Sequence, residues 1–228
     1  MNKSNLVKYL FFILVFVGVS LWIQLFLSFS SLKQNNSLIE VIQNQNLQNL
    51  ILQKTGVNIQ SIKLSSSSKL FGMMIGIPGF PQLILTKSLY ENFSSSEIEY
   101  VVLHETGHYV LWHSVTELVL GLFFLGLGII IIKKINGRYL SLIMALILGF
   151  VLGVIMIKFG RIHEYQADDY ALERISDPRG MIQATKKFKN AANNSIGPKN
   201  KLLEFWFYRS VPYAERIEKA KLEINQRK

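Results

Sequence analysis

Three long apolar runs punctuate an otherwise polar chain. Residues 9–29 carry only Gln24 and a few Ser as polar interruptions, and at ~1.5 Å per residue they span ~31 Å, about one hydrocarbon core. A cleavable signal has an apolar region of only ~7–15 residues, so this run is expected to be a retained signal anchor. The second run covers 118–132, with Glu117 at the headgroup layer if it extends back to Val115. The third covers 139–157 and closes on Lys158 and Arg161. The few residues between them, Lys133 to Arg138, suffice only for a helical hairpin turn.

Between the first and second runs the pattern is that of a soluble unit. Leu38, Ile39, Val41, Ile42, Leu47, Leu50 and Ile51 recur at roughly helical spacing, predicting an amphipathic helix over 37–54 that Gly56 ends. Residues 57–64 alternate weakly and predict a strand. Two further short strands are expected at 71–77 and 83–86, separated by Pro78-Gly79-Phe80-Pro81. Ser94-Ser95-Ser96-Glu97 has the form of a capping box opening a helix.

Composition agrees with a membrane protein. The 228 residues are 50% hydrophobic and only 18% charged, against ~25% charged in ordinary globular chains. There is no Cys, which excludes disulfides, a thiol nucleophile and Cys-ligated metal. The net charge of +10 is dispersed and flanks apolar runs, which suits an anionic bilayer and not a nucleic acid. Lys3 and Lys8 precede the first run, and Lys133, Lys134 and Arg138 sit in the hairpin turn. Both groups are expected in the cytoplasm by the positive-inside rule, and three spans satisfy both at once.

The capped helix runs into His104-Glu105-Thr106-Gly107-His108, an H-E-x-x-H pattern. Two His four residues apart lie ~40° apart around a helix, so both rings reach one ion. Glu105 can take a proton from water that the metal acidifies. A catalytic zinc needs a third protein ligand. Glu164 and Asp168 directly follow the third run and share a helix face; one can ligate while the other holds a ligand His. The helix carrying them is expected to stop at Asp177-Pro178. On a continuing helix His113 would lie ~140° from His108, which suggests a surface or interfacial role. His163 lies ~100° from Glu164, which suggests a supporting or surface role.

These segments resemble the HtpX-like and CAAX-prenyl-protease-type membrane zinc endopeptidases, from about Ile77 to Ile217. The likeness rests on Ile84-Leu85-Thr86, on Glu97 through His108, on the hydrophobic hairpin, and on Arg161 with Glu164-Tyr165-Gln166-Ala167-Asp168. It implies a mostly helical zincin-like domain with a small β-sheet, which together with the three apolar runs makes the expected fold an α+β membrane protein with three transmembrane helices, one fewer at the amino-terminal end than many relatives have. It also implies one zinc per chain held by His104, His108 and Glu164, with Glu105 as general base and Asp168 supporting a ligand His. The strand Leu83, Ile84, Leu85 and Thr86 would pair with extended substrate. The family's late H-P-x-x-x-x-R segment is matched only through Pro212 and Arg216, with Ser210 in place of the His. Tyr208, Arg209, Tyr213 or Arg216 would have to donate in its stead.

The expected organisation is a cytoplasmic tail (1–8), a signal anchor (9–29), a first metalloprotease segment (30–114), a membrane hairpin (115–158) and a second metalloprotease segment (159–228). The expected activity is zinc-dependent endoproteolysis of peptide or membrane-protein segments at the cell membrane, the catalytic part facing outward. An intramembrane protease is disfavoured because Ser94 to Tyr100 is polar and the apolar run begins only after Glu117. The alternative is a catalytically weak zinc-binding sensor of the same fold, suggested by the missing late His.

Overall fold

The structure, a computed structural model, describes residues 39–67, 69–76, 79–193 and 209–227. The expected signal anchor lies outside them. Four strands, β1 (Ile39–Ile42), β2 (Ile62–Ser65), β3 (Gly72–Ile75) and β4 (Gln82–Thr86), form one sheet in the order β1-β2-β4-β3. The helices are α1 (Gln45–Thr55), α2 (Lys87–Asn92), α3 (Ser95–Val110), α4 (His113–Lys133), α5 (Arg138–Arg174), α6 (Arg179–Asn193) and α7 (Tyr213–Gln226). The result is the α+β arrangement expected, mostly helical with a small mixed sheet.

Two local expectations are corrected. The helix predicted over 37–54 begins only at Gln45, because residues 39–42 pair with β2 as an antiparallel edge strand. Its real start is the Asn44 cap, whose side chain accepts the Leu47 N–H at 3.0 Å; its end is Gly56 in the left-handed region. The apolar residues before Asn44 satisfy either period, and the sheet decides between them. The strand predicted over 57–64 is confined to Ile62–Ser65.

The sheet overturns a third expectation. β4 pairs with β2 on one side, in parallel, and with β3 on the other, antiparallel. The run Leu83, Ile84, Leu85, Thr86 is therefore interior and buried, with no free backbone edge for a substrate. Four consecutive buried positions are what a central strand presents. The edge beside the helices is β3.

α3 is sandwiched between this sheet and α5 and α6, with α7 packed on the far side of α6 and α5. Val101, Val102 and Leu103 join Leu83, Leu85, Leu89, Met181 and Ala220 in one core. The capping box forms: Glu97 accepts the Ser94 N–H at 2.5 Å and is neutralised by Lys187 at 2.6 Å.

α4 and α5 form the hairpin. Each has an 18-residue apolar stretch of which only 6% is buried, so these are not core helices of a soluble domain; both are long and apolar enough to cross a membrane. α5 runs unbroken for 37 residues, ~55 Å, well beyond a ~30 Å hydrocarbon core. Its excess carries Glu164 and Asp168 up against α3 and ends, as the sequence predicts, just before Asp177-Pro178.

Candidate metal centre

One turn of α3 aims His104 and His108 at the same point, their Nε2 atoms 3.2 Å apart. Glu164 reaches it from α5, with Oε2 at 3.5 Å from His104 Nε2 and Oε1 at 3.6 Å from His108 Nε2. α5 comes this near because Gly107 lies between the two histidines: a Cβ there would stand 3.2 Å from Tyr170 ring atoms. A tetrahedral zinc with ligands at ~2.0–2.1 Å needs its donors ~3.3 Å from one another. The three separations bracket that value, and two imidazoles with a carboxylate are a donor set that zinc accepts.

The outer nitrogen of His104, Nδ1, lies 2.9 Å from Asp168 Oδ1. Asp168 is fully buried and is compensated from two further directions. Tyr100 donates its hydroxyl at 2.8 Å, and Arg216 Nε stands 3.0 Å away. Arg216 also donates from Nη2 to Glu164 at 2.8 Å. Its guanidinium is thereby committed to two carboxylates, which corrects its expected role as an oxyanion or substrate donor.

Burial alone would push the His104 imidazole down. The contacts with Asp168 and Glu164 outweigh it and hold the ring up at about 10. Positive charge is therefore strongly favoured at this spot, the condition a divalent cation requires. His108 is pushed down to about 3 by burial and by His104 beside it, so it remains a neutral donor. Burial raises Glu105 to about 7 against the lowering influence of His104, which suits a group that must take up and return a proton near neutrality.

Glu105 is approached by the sheet edge. A Cβ on Gly72 of β3 would lie 2.7 Å from Val101 Cγ1 and 3.4 Å from Glu105 Cγ. Only glycine lets the strand pass this close to the helix, and β3 rather than β4 borders the site.

The expectation for His113 is also corrected. It is 3% exposed, and its Nδ1 lies 2.8 Å from His108 Nδ1. The ideal-helix angle fails because α3 ends at Val110 and Trp112 turns left-handed, with φ of +58°, swinging His113 back over the preceding turn. His163, buried as well, stacks on His113 and contacts Glu117 at 3.0 Å. Arg209 grips Glu117 with two bonds of 2.7 and 3.0 Å, so it too is committed. Ser210 is exposed, and Tyr213 is half-buried at the start of α7. Tyr100, Glu117, Gln166 and Arg209 carry no sequence signal of their supporting parts, because their partners are 46 to 92 residues distant.

The family model described as Peptidase family M48 matches residues 32–224. Among solved structures, the crystal structure of S. mikatae Ste24p matches with a TM-score of 0.69 at 18% identity, covering 94% of this chain. This chain spans 58% of that one, so the likeness speaks for the fold alone. No curated protein matches closely enough to add to this.

Proposed function

Because this chain belongs to peptidase family M48, we propose that it is a membrane-anchored zinc endopeptidase hydrolysing extended protein segments next to the bilayer. The observation that carries this reading is the set of three donor atoms at tetrahedral spacing, with the half-buried Glu105 next to His104 on the same helix. The residues that would hold zinc are His104, His108 and Glu164. Bound there, zinc would supply a Lewis acid that acidifies water and polarises a carbonyl.

The protein's own residues supply the rest. Glu105 takes the proton from the attacking water and returns it to the departing amine. Asp168 fixes the His104 ring through Nδ1, leaving Nε2 directed inward. Arg216 orients Glu164 and offsets the buried acids. Among the described residues β3 is the outer strand beside the helices, and along it an extended peptide can add as a further strand. With Arg209 and Arg216 committed elsewhere, Tyr213 is the remaining candidate in the described residues for donating to the oxyanion.

α3 leads within a few residues into one apolar helix, and Glu164 follows directly from the other. A site at the headgroups meets segments beside membrane anchors and unfolded membrane proteins before it meets folded soluble ones. The two spans and the signal anchor make the chain multi-pass, with Lys3, Lys8 and the hairpin turn in the cytoplasm and the catalytic part outside.

The test is purified protein with a liposome-tethered peptide and the same peptide free in solution, for wild type and Glu105→Gln. Zinc-dependent cleavage by wild type only, faster on the tethered peptide, is expected. Equal activity of Glu105→Gln would overturn the mechanism, and equal rates on both peptides would overturn the substrate class. A reporter at Asn136 should read as cytoplasmic and one after Lys228 as external; the reverse would invert the topology.

The weak zinc-binding sensor remains the second reading, favoured by Ser210 at the place of the late His. It requires stoichiometric zinc without peptide cleavage.

A further inference from the structure

The geometry points to His113 as a positioning residue for the metal ligand His108, acting through a neutral imidazole–imidazole hydrogen bond. This inference rests on the reading of His104, His108 and Glu164 as a zinc site. His108 directs Nε2 toward His104 and Glu164, at 3.2 and 3.6 Å. For that nitrogen to present a lone pair, the ring must carry its hydrogen on Nδ1. The atom facing Nδ1 is His113 Nδ1, at 2.8 Å, so His113 must accept there. Its own hydrogen then belongs on Nε2, and Nε2 faces an acceptor, the Gln166 side-chain oxygen, at 3.0 Å. One assignment of hydrogens satisfies every atom in the series, from the inward-facing nitrogen of His108 to α5.

The ring is held on its face as well as its edge. His163 lies parallel to it, with centroids 4.2 Å apart and planes 5° from coincidence. His163 Nδ1 donates to Glu117 at 3.0 Å, and Arg209 clamps the same carboxylate. The backbone makes a matching concession, since Trp112 adopts a positive φ that side chains rarely take. Strain kept at such a turn marks a position where the resulting placement matters. The turn places His113 against His108 and, in the same stroke, starts the membrane helix α4. The outer-sphere support of one ligand is thereby built on the first residue of a candidate span.

The experiment measures zinc affinity of the full chain in detergent by competition with a chromogenic chelator, alongside the visible spectrum of the cobalt-substituted protein. Three variants separate positioning from packing. His113→Asn sets an amide oxygen near the original Nδ1 and should keep near-wild-type affinity and the cobalt spectrum. His113→Gln sets its amide near the original Nε2, and His113→Leu offers no acceptor; both should weaken zinc binding by about 10- to 100-fold. The melting temperature of the metal-free protein reports folding separately, and the Asn-over-Gln order survives even if the Leu variant does not fold. Unchanged affinity in His113→Gln, or equal losses in the Asn and Gln variants, would overturn the inference while leaving the zinc site standing. Wild type binding zinc no better than His104→Ala would overturn the zinc reading and this inference with it.

Discussion

His104 and His108 sit one helical turn apart and present the same nitrogen to the same point, yet their outer nitrogens meet different chemistry. His104 meets a buried aspartate at 2.9 Å, and His108 meets another imidazole at 2.8 Å. The carboxylate makes its ring more basic and adds a charge, which Tyr100 and Arg216 then compensate. The second imidazole directs its ring without adding charge. A second aspartate at that place would be one more buried anion needing a partner, close to the foot of an apolar helix. The comparison teaches that the orientation of a ligand and its electrostatic support are separable, and that this fold uses one device for each ring.

The comparison can be broken most sharply at the ligands. His104→Ala and His108→Ala should each abolish zinc binding, from about one per chain for wild type, as measured by elemental analysis of purified protein. Stoichiometric zinc in either variant would show that the two rings are not equivalent ligands. Next in size, Glu105→Gln should keep its zinc while turnover falls by about 10²–10⁴-fold, because the base does not ligate. Asp168→Asn sharpens the contrast between the two supports. It should weaken zinc by about 10- to 100-fold and also lower the stability of the metal-free protein, since it leaves Arg216 under-compensated; His113→Asn should leave zinc affinity near that of wild type. Smallest is Gly72→Ala, whose new methyl must displace Val101. A loss of ~1–3 kcal/mol in chemical denaturation, with zinc retained, is expected, and an unchanged stability would mean that β3 can retreat from the helix.

The contrast between the two rings also divides what could be read in the sequence from what could not. His104, Glu105, His108, Glu164 and Asp168 were legible because regular helix spacing relates them within each element, and the apolar hairpin implies that its two ends return to one face. The two helices and the capping box were legible for the same reason, as each is a local pattern of period 3.6 or of fixed offset. The parts that escaped depend on departures from regularity or on long-range pairing. His113 was misplaced because a single left-handed residue, Trp112, breaks the helix on which its angle was reckoned. A substrate edge at β4 is what the sequence suggests, because strand order is not encoded in any one strand; pairing on both sides with β2 and β3 makes β4 interior and, among the described residues, leaves β3 as the outer strand beside the helices. Arg216 and Arg209 looked free in sequence and are committed in space, to Glu164 with Asp168 and to Glu117. Helix phase, and with it the pool of candidate ligands, is thus a property of the sequence by itself, because covalent spacing along a regular helix dictates which atoms share a face; that Glu164 and not Asp168 faces the two Nε2 atoms is decided by packing. The support of each ligand and the edge open to a peptide were decided only by tertiary packing, because only there do groups tens of residues apart compete for the same hydrogen bonds.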